Sequence, residues 1–443
     1  MSGIVGSRSQ RELEIKFDVS ADQLTRLQTK HPVKGRQQSK PVHSNLRSIY
    51  FDTPCRSLKA KSVSLRIRQI GDKWVQTLKS GNGVVAGLSN RLELELPLSG
   101  ARPEFDKFQK SRLPAALKKL LRTADLEPVF ETVISRTTNQ ICGSNGEHVE
   151  IAFDKGIVKT RHSSRSIHEV EIELRSGDPD FMFGVAEELS SGESLRFSSL
   201  SKAERGYLAV DGANAGPLTA ARYHQPKLNK TCQAKDAYQA LLRACASQIS
   251  HNWTVVLDGS DIDGPHQLRI GLRRLRSTLR AFGGLHRGKR LARLTTEARN
   301  IARIVGDLRD ADVLATQIVP AVAGSLPNDE TLADLQVRLN ARRGQIRAKV
   351  ASELDGDRMT AFLLQLGRSI EAPRWRKKSS IKNELLAAEV ACDALEDSWQ
   401  NVLMWGRRIG KLSIPERHSM RKALKLLRYQ TEAFGPVLAS RKT

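Results

Sequence analysis

Aromatic residues are scarce in this chain: Phe, Trp and Tyr make up 5% of its 443 residues. Its cores must therefore rest on Leu, Val, Ile and Ala, and a binding surface built on aromatic stacking is disfavoured. Cysteine is scarcer still. Five stand at 55, 142, 232, 245 and 392, odd in number and without a CxxC pair. That pattern argues against a disulfide framework or a cysteine-based zinc site and favours a reducing compartment. No run of about 18 uncharged apolar residues occurs, so no membrane span is expected. The opening residues, MSGIVGSRSQ, lack the apolar core of a signal peptide. The chain reads as cytoplasmic.

Negative charge is also in short supply. Asp and Glu number 48 against 72 Lys and Arg, a net charge of +24. Such an excess calls for a polyanionic partner. Residues 1–215 hold 33 basic and 26 acidic residues, leaving 39 and 22 for residues 216–443, so the net charges are +7 and +17. The second half is the stronger candidate for binding a polyanion.

The length exceeds what one hydrophobic core usually serves, so two domains are expected. Residues 11–210 repeatedly alternate with a period of two, the pattern of strands with two unlike faces, with helical stretches near 21–30, 108–122 and 180–190. Residues 211–230 are rich in Gly, Pro and small residues and read as a linker. Beyond them the period is helical almost to the end. The expected architecture is an α+β domain over 8–212, a linker over 213–229 and an all-α helical-bundle domain over 230–440.

The strand half separates charge from grease. Glu12, Glu14 and Lys16 alternate with Leu13, Ile15 and Phe17. Arg66 and Arg68 alternate with Leu65 and Ile67, and Lys79 shares a face with Val75 and Thr77. Arg91, Glu93 and Glu95 alternate with Leu92, Leu94 and Leu96. Glu150 and Asp154 lie opposite Val149, Ile151 and Phe153, and Glu169, Glu171 and Glu173 opposite Val170, Ile172 and Leu174. An ordinary antiparallel sheet with a solvated face shows such alternation. Here long charged side chains fill nearly every polar position and come as Glu-x-Glu and Arg-x-Arg pairs. Two carboxylates at i and i+2 stand about 6–7 Å apart on one face and suit hard divalent cations. Paired guanidinium groups suit phosphate oxygens. If the sheet closes, both sets face one lumen, and a charged lumen is costly unless ions or ligands fill it.

These residues resemble the CYTH, or triphosphate tunnel metalloenzyme, superfamily. Glu12-x-Glu14-x-Lys16 opens the series. Tyr50 to Pro54, Arg66-x-Arg68, Trp74 to Lys79, Arg91-x-Glu93-x-Glu95, Arg136, Asp154 with Gly156, Glu171-x-Glu173, Ser201-Lys202 and Arg205-Gly206-Tyr207 follow in order. The resemblance covers roughly 11–210. It implies an eight-stranded antiparallel β-barrel open as a tunnel, with Mg²⁺ or Mn²⁺ as cofactor. It further implies Glu12, Glu14, Asp154, Glu171 and Glu173 as metal ligands and Lys16, Arg66, Arg68, Lys79, Arg136 and Lys202 as phosphate clamps, with Glu12 and Glu14 also in the catalytic set. Glu93 and Glu95 either orient basic residues or join a second metal. Tyr50 to Pro54 read as a strand end and turn, and Tyr207 as packing.

In the helical half, His266, Arg269, Arg273, Arg276 and Arg280 are spaced 3, 4, 3, 4, beside a second stripe of Leu268, Leu272, Leu275 and Leu279. His418, Arg421, Lys425 and Arg428 repeat the design 152 residues later, as an internal duplication would. Like charges four apart repel, and neither stripe interleaves acids, so an anion is the expected relief. This half is similar to the CHAD domain, through His266-x-x-Arg269, Leu308 to Val313 with Arg309, and His418-x-x-Arg421 through Arg428-Tyr429. The resemblance implies long-chain polyphosphate as a partner. Asp310 and Asp312 read as ordering Arg309. Nucleic acid is the disfavoured partner, since neither a zinc-finger nor an RNA-recognition signature is present. The leading expectation is an inorganic triphosphatase. An adenylate cyclase or thiamine triphosphatase on the same tunnel, and a polyphosphate-binding scaffold without turnover, are the rivals.

Overall fold

The computed structural model describes residues 8–29, 37–81, 87–104, 106–109, 113, 115–123, 125–212, 218–259, 261–286, 288–326, 329–376 and 385–438. The chain divides into two compact units, 1–216 and 217–443.

The first unit is built from strands β1 (Arg8–Asp18), β2 (Gln37–Gln38), β3 (Val42–Asp52), β4 (Val63–Ile70), β5 (Lys73–Ser80), β6 (Leu88–Leu98), β7 (Glu127–Cys142), β8 (His148–Lys159), β9 (Ser164–Ser176) and β10 (Arg196–Phe197). Its helices are α1 (Ala21–Thr29), α2 (Ser57–Ala60), α3 (Asp106–Gln109), α4 (Ala115–Thr123), α5 (Pro179–Ser190) and α6 (Lys202–Asp211). The sheet runs β1-β6-β5-β4-β3-β7-β8-β9, and β9 pairs back onto β1, so eight antiparallel strands close a barrel. The short β2 and β10 are appended to β7 and β1.

Closure inverts the usual sheet. The apolar parity faces outward and is covered by helices. Leu65, Ile67, Leu78, Leu94 and Leu96 pack against Phe108, Leu117 and Leu121 of α3 and α4. On the other flank α1 and α5 pack on β8 and β9, where Val149, Ile151, Val170 and Ile172 are fully buried. The charged parity is left to the lumen.

Helix α6 fixes one end of that lumen. Phe130, Ile134, Val158 and Ile167 share parity with the inward Arg136, Asp154 and Glu169, and they pack with Ala203 and Tyr207 of α6. Ser201 caps the helix, accepting from the Glu204 amide while Glu204 reaches back to the Ser201 amide. The Tyr207 hydroxyl donates to Asp52 at 2.7 Å, and Asp52 also accepts from the amides of Thr53, Leu58 and Lys59. Asp52 therefore caps α2 and ties it to α6, consistent with a structural turn at Tyr50 to Pro54. Gly206 lets α6 approach the sheet, since a Cβ there would fall 2.0 Å from the Phe130 ring.

The second unit is helical: α7 (Ala234–Asp258), α8 (Gly264–Ala281), α9 (Arg290–Val313), α10 (Val319–Ser325), α11 (Glu330–Leu354), α12 (Asp357–Glu371), α13 (Ala387–Gly406) and α14 (Ile414–Leu438). A π-helical turn, Leu314–Ile318, joins α9 to α10. The expected leucine stripe of α8 is its core face, with Leu268, Leu272 and Leu275 fully buried. Residues 219–225 belong to this unit: Ala220 and Ala221 bond to Asp261 and Asn252, and Gln225 donates to the Ala433 carbonyl at 3.0 Å. Among the described residues no helix is long and apolar enough to cross a membrane.

Gly206→Ala is expected to force α6 away from Phe130 and to cost about 1–3 kcal/mol by overpacking. Thermal denaturation should show the first unit melting several degrees lower. An unchanged melt would mean that α6 is not wedged on the sheet.

Candidate active site

Strand register places the charges in rows across the barrel. Asp18, Glu169, Asp154 and Arg136 occupy one row over β1, β9, β8 and β7, and Lys16 lies opposite Glu171. Arg136 grips Asp154 as a fork, with bonds of 2.7 and 2.6 Å, and reaches Glu171 at 2.5 Å. Lys202, entering on the first turn of α6, meets Asp154 at 2.7 Å, Glu171 at 3.0 Å and also Glu169. Lys16 bonds Glu171 and lies 3.0 Å from Glu14. Burial alone would lower the Lys202 pKa, but Asp154, Glu169 and Glu171 outweigh it and hold the ammonium charged. The same balance raises Lys16 and Arg136.

A second cluster lies on β1, β4, β5 and β6. Lys79 bonds Glu12 at 2.7 Å and Glu93 at 3.1 Å, while Arg66 lies 3.6 Å from Glu93 and 3.8 Å from Glu95. Glu93 and Glu95 thus orient Lys79 and Arg66. The Nε of Arg66 is buried without a hydrogen-bond partner among the described residues. Buried pairs of this kind are poor sources of stability, because desolvation offsets most of the attraction.

Two groups break the balance. Arg68 donates to Ser48 at 3.0 Å, but among the described residues no carboxylate lies within ion-pair distance of it. Burial, then the neighbouring Arg66 and Arg136, pull its pKa down to about 9. Glu173 stands directly across from Glu14. Burial, then Glu12, with Glu14 adding, pushes the Glu173 carboxyl up to about 9, although Arg175 opposes. Among the described residues the lumen is therefore short of an anion at Arg68, while Glu12, Glu14 and Glu173 each share a cation with another carboxylate: Lys79 with Glu93, Lys16 with Glu171 and Arg175 with Glu150.

That second group has the chemistry a hard divalent cation takes: an all-oxygen donor set whose mutual repulsion a cation would relieve. Asp154 and Glu171 stand differently. With Glu169 they form a buried acidic set whose ligand atoms lie within 4.8 Å of one another. Its three carboxylates are already met by Lys16, Arg136 and Lys202. The tighter geometry there favours a metal, and a cation entering either set meets side chains already bonded. We weight the repulsion left among Glu12, Glu14 and Glu173, where burial and then that repulsion hold the Glu173 carboxyl up despite Arg175.

Glu169 is the residue that sequence reasoning passed over. It is fully buried, it meets Lys202, and among the described residues its second oxygen has no hydrogen-bond partner. Its shared parity with Glu171 and Glu173 was the available signal.

In the second unit α8, α9, α13 and α14 line a cavity of about 970 Å³. Of the expected residues, Arg269, Arg273, Arg276, His418 and Lys425 line it, joined by Arg280, Arg299 and Lys422. His266, Arg309, Arg421 and Arg428 are not in its wall. Burial and then Arg309 lower the His266 pKa, which keeps the ring neutral near neutral pH. Burial and then Arg273 and Arg421 lower the Lys425 pKa, as expected where cations crowd together. Arg428 bonds Glu432 at 2.8 Å. Asp312 does not order Arg309: it is fully buried and pairs with Arg343 at 2.6 Å and Arg347 at 3.3 Å, clamping α9 to α11. Sequence distance hid that partnership.

Comparison with known proteins agrees with this division. Residues 10–207 match the CYTH domain and residues 240–443 the CHAD domain. A protein of Haemophilus influenzae named inorganic triphosphatase is 34% identical over 168 residues, 38% of this chain and 47% of that protein. This chain therefore spans about half the length of that relative. Among solved structures, the CHAD domain of the plant Ricinus communis is 24% identical, with a TM-score of 0.43, covering 51% of this chain and 73% of that one. A Hippeastrum protein described as an adenylyl cyclase with a dominant triphosphatase activity is 19% identical, with a TM-score of 0.33, covering 45% and 96%.

The charge mismatch gives Arg68→Met opposite effects on stability and binding. Removing a buried cation that lacks a carboxylate should leave the melting temperature unchanged or raised. Tripolyphosphate, used as a probe anion in calorimetry, should bind about 10–100-fold more weakly than to the native protein, as expected for losing a hydrogen bond between charged groups. Lower stability with unchanged binding would reverse the assignment.

Proposed function

This chain carries a CYTH domain followed by a CHAD domain, and we propose that the first hydrolyses inorganic triphosphate while the second binds long-chain polyphosphate. The observation that carries the reading is the paired shortfall in the lumen, with Arg68 lacking a carboxylate among the described residues and Glu12, Glu14 and Glu173 each sharing a cation with another acid. A triphosphate with a divalent metal supplies both at once. The relative named inorganic triphosphatase supports the choice of an inorganic substrate.

On this reading Arg66, Arg68 and Arg136 seat the phosphate chain, with Lys16, Lys79 and Lys202 around it. Glu12, Glu14 and Glu173 would hold Mg²⁺ or Mn²⁺. Such an ion, when bound, neutralises phosphate oxygens and polarises water. Asp154, Glu169 and Glu171 keep Arg136, Lys202 and Lys16 extended into the lumen, so the cations are placed before substrate arrives. Preorganised charge of this kind stabilises the transferred phosphoryl group without reorganisation during the reaction. Burial in the barrel strengthens each contact relative to water.

The CHAD cavity supports the second half of the reading. Its wall carries Arg269, Arg273, Arg276, Arg299 and Lys425 without a matching set of acids. A linear polyanion would relieve their repulsion.

Purified protein given tripolyphosphate, ATP, thiamine triphosphate and long-chain polyphosphate, each with Mg²⁺ or Mn²⁺, should release phosphate fastest from tripolyphosphate. A preference for ATP or thiamine triphosphate, or no turnover at all, would sink the reading. Glu14→Gln should lower turnover by roughly 100-fold or more, in the range of losing a key electrostatic group, and leave long-chain polyphosphate binding intact. Arg273→Glu with Arg276→Glu should do the converse, weakening polyphosphate binding and flattening its salt dependence. If either variant abolishes both properties, the two sites are not separate.

A further inference from the structure

Glu14, Glu173 and Glu150 form one row of carboxylates on three neighbouring strands. Glu14 is register partner to Glu173 across β1 and β9, and Glu150 is partner to Glu173 across β8 and β9. Like charges directly opposite one another are unfavourable. One basic side chain spans the outer part of the row. Arg175 follows Glu171 and Glu173 on the same parity of β9, one residue before the strand ends at Ser176. Its Nη1 donates to Glu173 at 2.5 Å and its Nη2 to Glu150 at 2.6 Å. The Arg175 side chain is 42% exposed, whereas those of Glu173 and Glu150 are each 16% exposed. The guanidinium therefore reaches inward from the wet end and forks between two half-buried acids. Glu150 has a second donor, Gln140, at 2.5 Å. Glu12, Glu14 and Lys79 also act on Glu173 electrostatically.

We propose that Arg175 is a tethered counter-cation of the metal site: it holds Glu173 in the metal-free protein, and it passes wholly to Glu150 when a divalent cation takes Glu173. The inference rests on reading Glu12, Glu14 and Glu173 as the metal-holding set. Glu150 then acts as a parking place for the displaced guanidinium, and Gln140 keeps that carboxylate in position. The exchange has two consequences. The carboxylate row stays folded and charged without metal. Metal affinity is set below what three bare carboxylates would give, because each binding event must break an existing ion pair.

The test uses the metal-free full-length chain, titrated with Mn²⁺ at pH 8, with free Mn²⁺ followed by electron paramagnetic resonance and stability followed by calorimetry. Arg175→Met should bind Mn²⁺ more tightly by roughly three- to tenfold, in the range expected for releasing a partly exposed ion pair. It should also melt lower without metal, with the deficit closing as Mn²⁺ saturates. Arg175→Lys keeps the charge but cannot fork between two carboxylates, so it should shift affinity in the same direction by a smaller factor. Glu150→Gln should weaken binding in the native background and have little further effect once Arg175 is Met. Arg175→Lys binding like the native protein, or strictly additive effects of Arg175→Met and Glu150→Gln, would reduce the residue to a diffuse charge and overturn the proposal. Native protein that binds no Mn²⁺, or Glu14→Gln that binds as well as native, would instead overturn the metal-site reading, and the inference with it.

Discussion

The pairing of β9 with β1 is the constraint on which the first unit depends. An open sheet with this sequence would bathe Glu14, Lys16, Glu171 and Asp154 in water and behave as an ordinary amphipathic surface. Closing it gathers those groups into one lumen and turns Leu65, Ile67, Leu78 and Leu94 outward under helices. Stability then comes from the outer shell, where apolar surface is buried at about 25 cal/mol per Å². The interior costs free energy for each desolvated charge, and pairing recovers only part of it.

What pairing leaves uncovered is the informative part. Asp154, Glu169 and Glu171 are matched by Lys16, Arg136 and Lys202, so each acid in that part of the lumen already meets a cation. Arg68 has no carboxylate partner among the described residues, and Glu173 shares its cation, Arg175, with Glu150. The proposed metal-bound phosphate chain would meet both shortfalls at once. Helix α6 belongs to this arrangement because it delivers Lys202 through a capped first turn held by Asp52 and Gly206. The helical unit repeats the theme without the acids: its cavity gathers cations from α8, α9 and α14.

Much of this was legible in the amino-acid sequence, because strand parity is a local property. Glu12-x-Glu14-x-Lys16 and Glu171-x-Glu173 declare which residues share a face. The helical spacing of Leu268, Leu272, Leu275 and Leu279 likewise declares the core face of α8. Parity does not say which face turns inward, nor which residues of neighbouring strands stand opposite. The Glu14–Glu173–Glu150 row depends on register, and Glu169 is singled out only when Lys202 arrives from a helix 33 residues downstream. Asp312 was misread for the same reason: Arg309 is near in sequence, whereas Arg343 and Arg347 come from the facing helix. The basic stripes were visible as stripes, but only packing decides that Arg273 and Lys425 share a cavity while Arg428 turns to Glu432.

The central claim is the division of the lumen into a settled acidic set and an unsettled one. Crystals grown with Mn²⁺ and tripolyphosphate, with data collected at the manganese absorption edge, test it most directly. The account expects an anomalous peak among Glu12, Glu14 and Glu173, with phosphate density against Arg66, Arg68 and Arg136. A peak lodged among Asp154, Glu169 and Glu171, with Lys202 displaced, would contradict it.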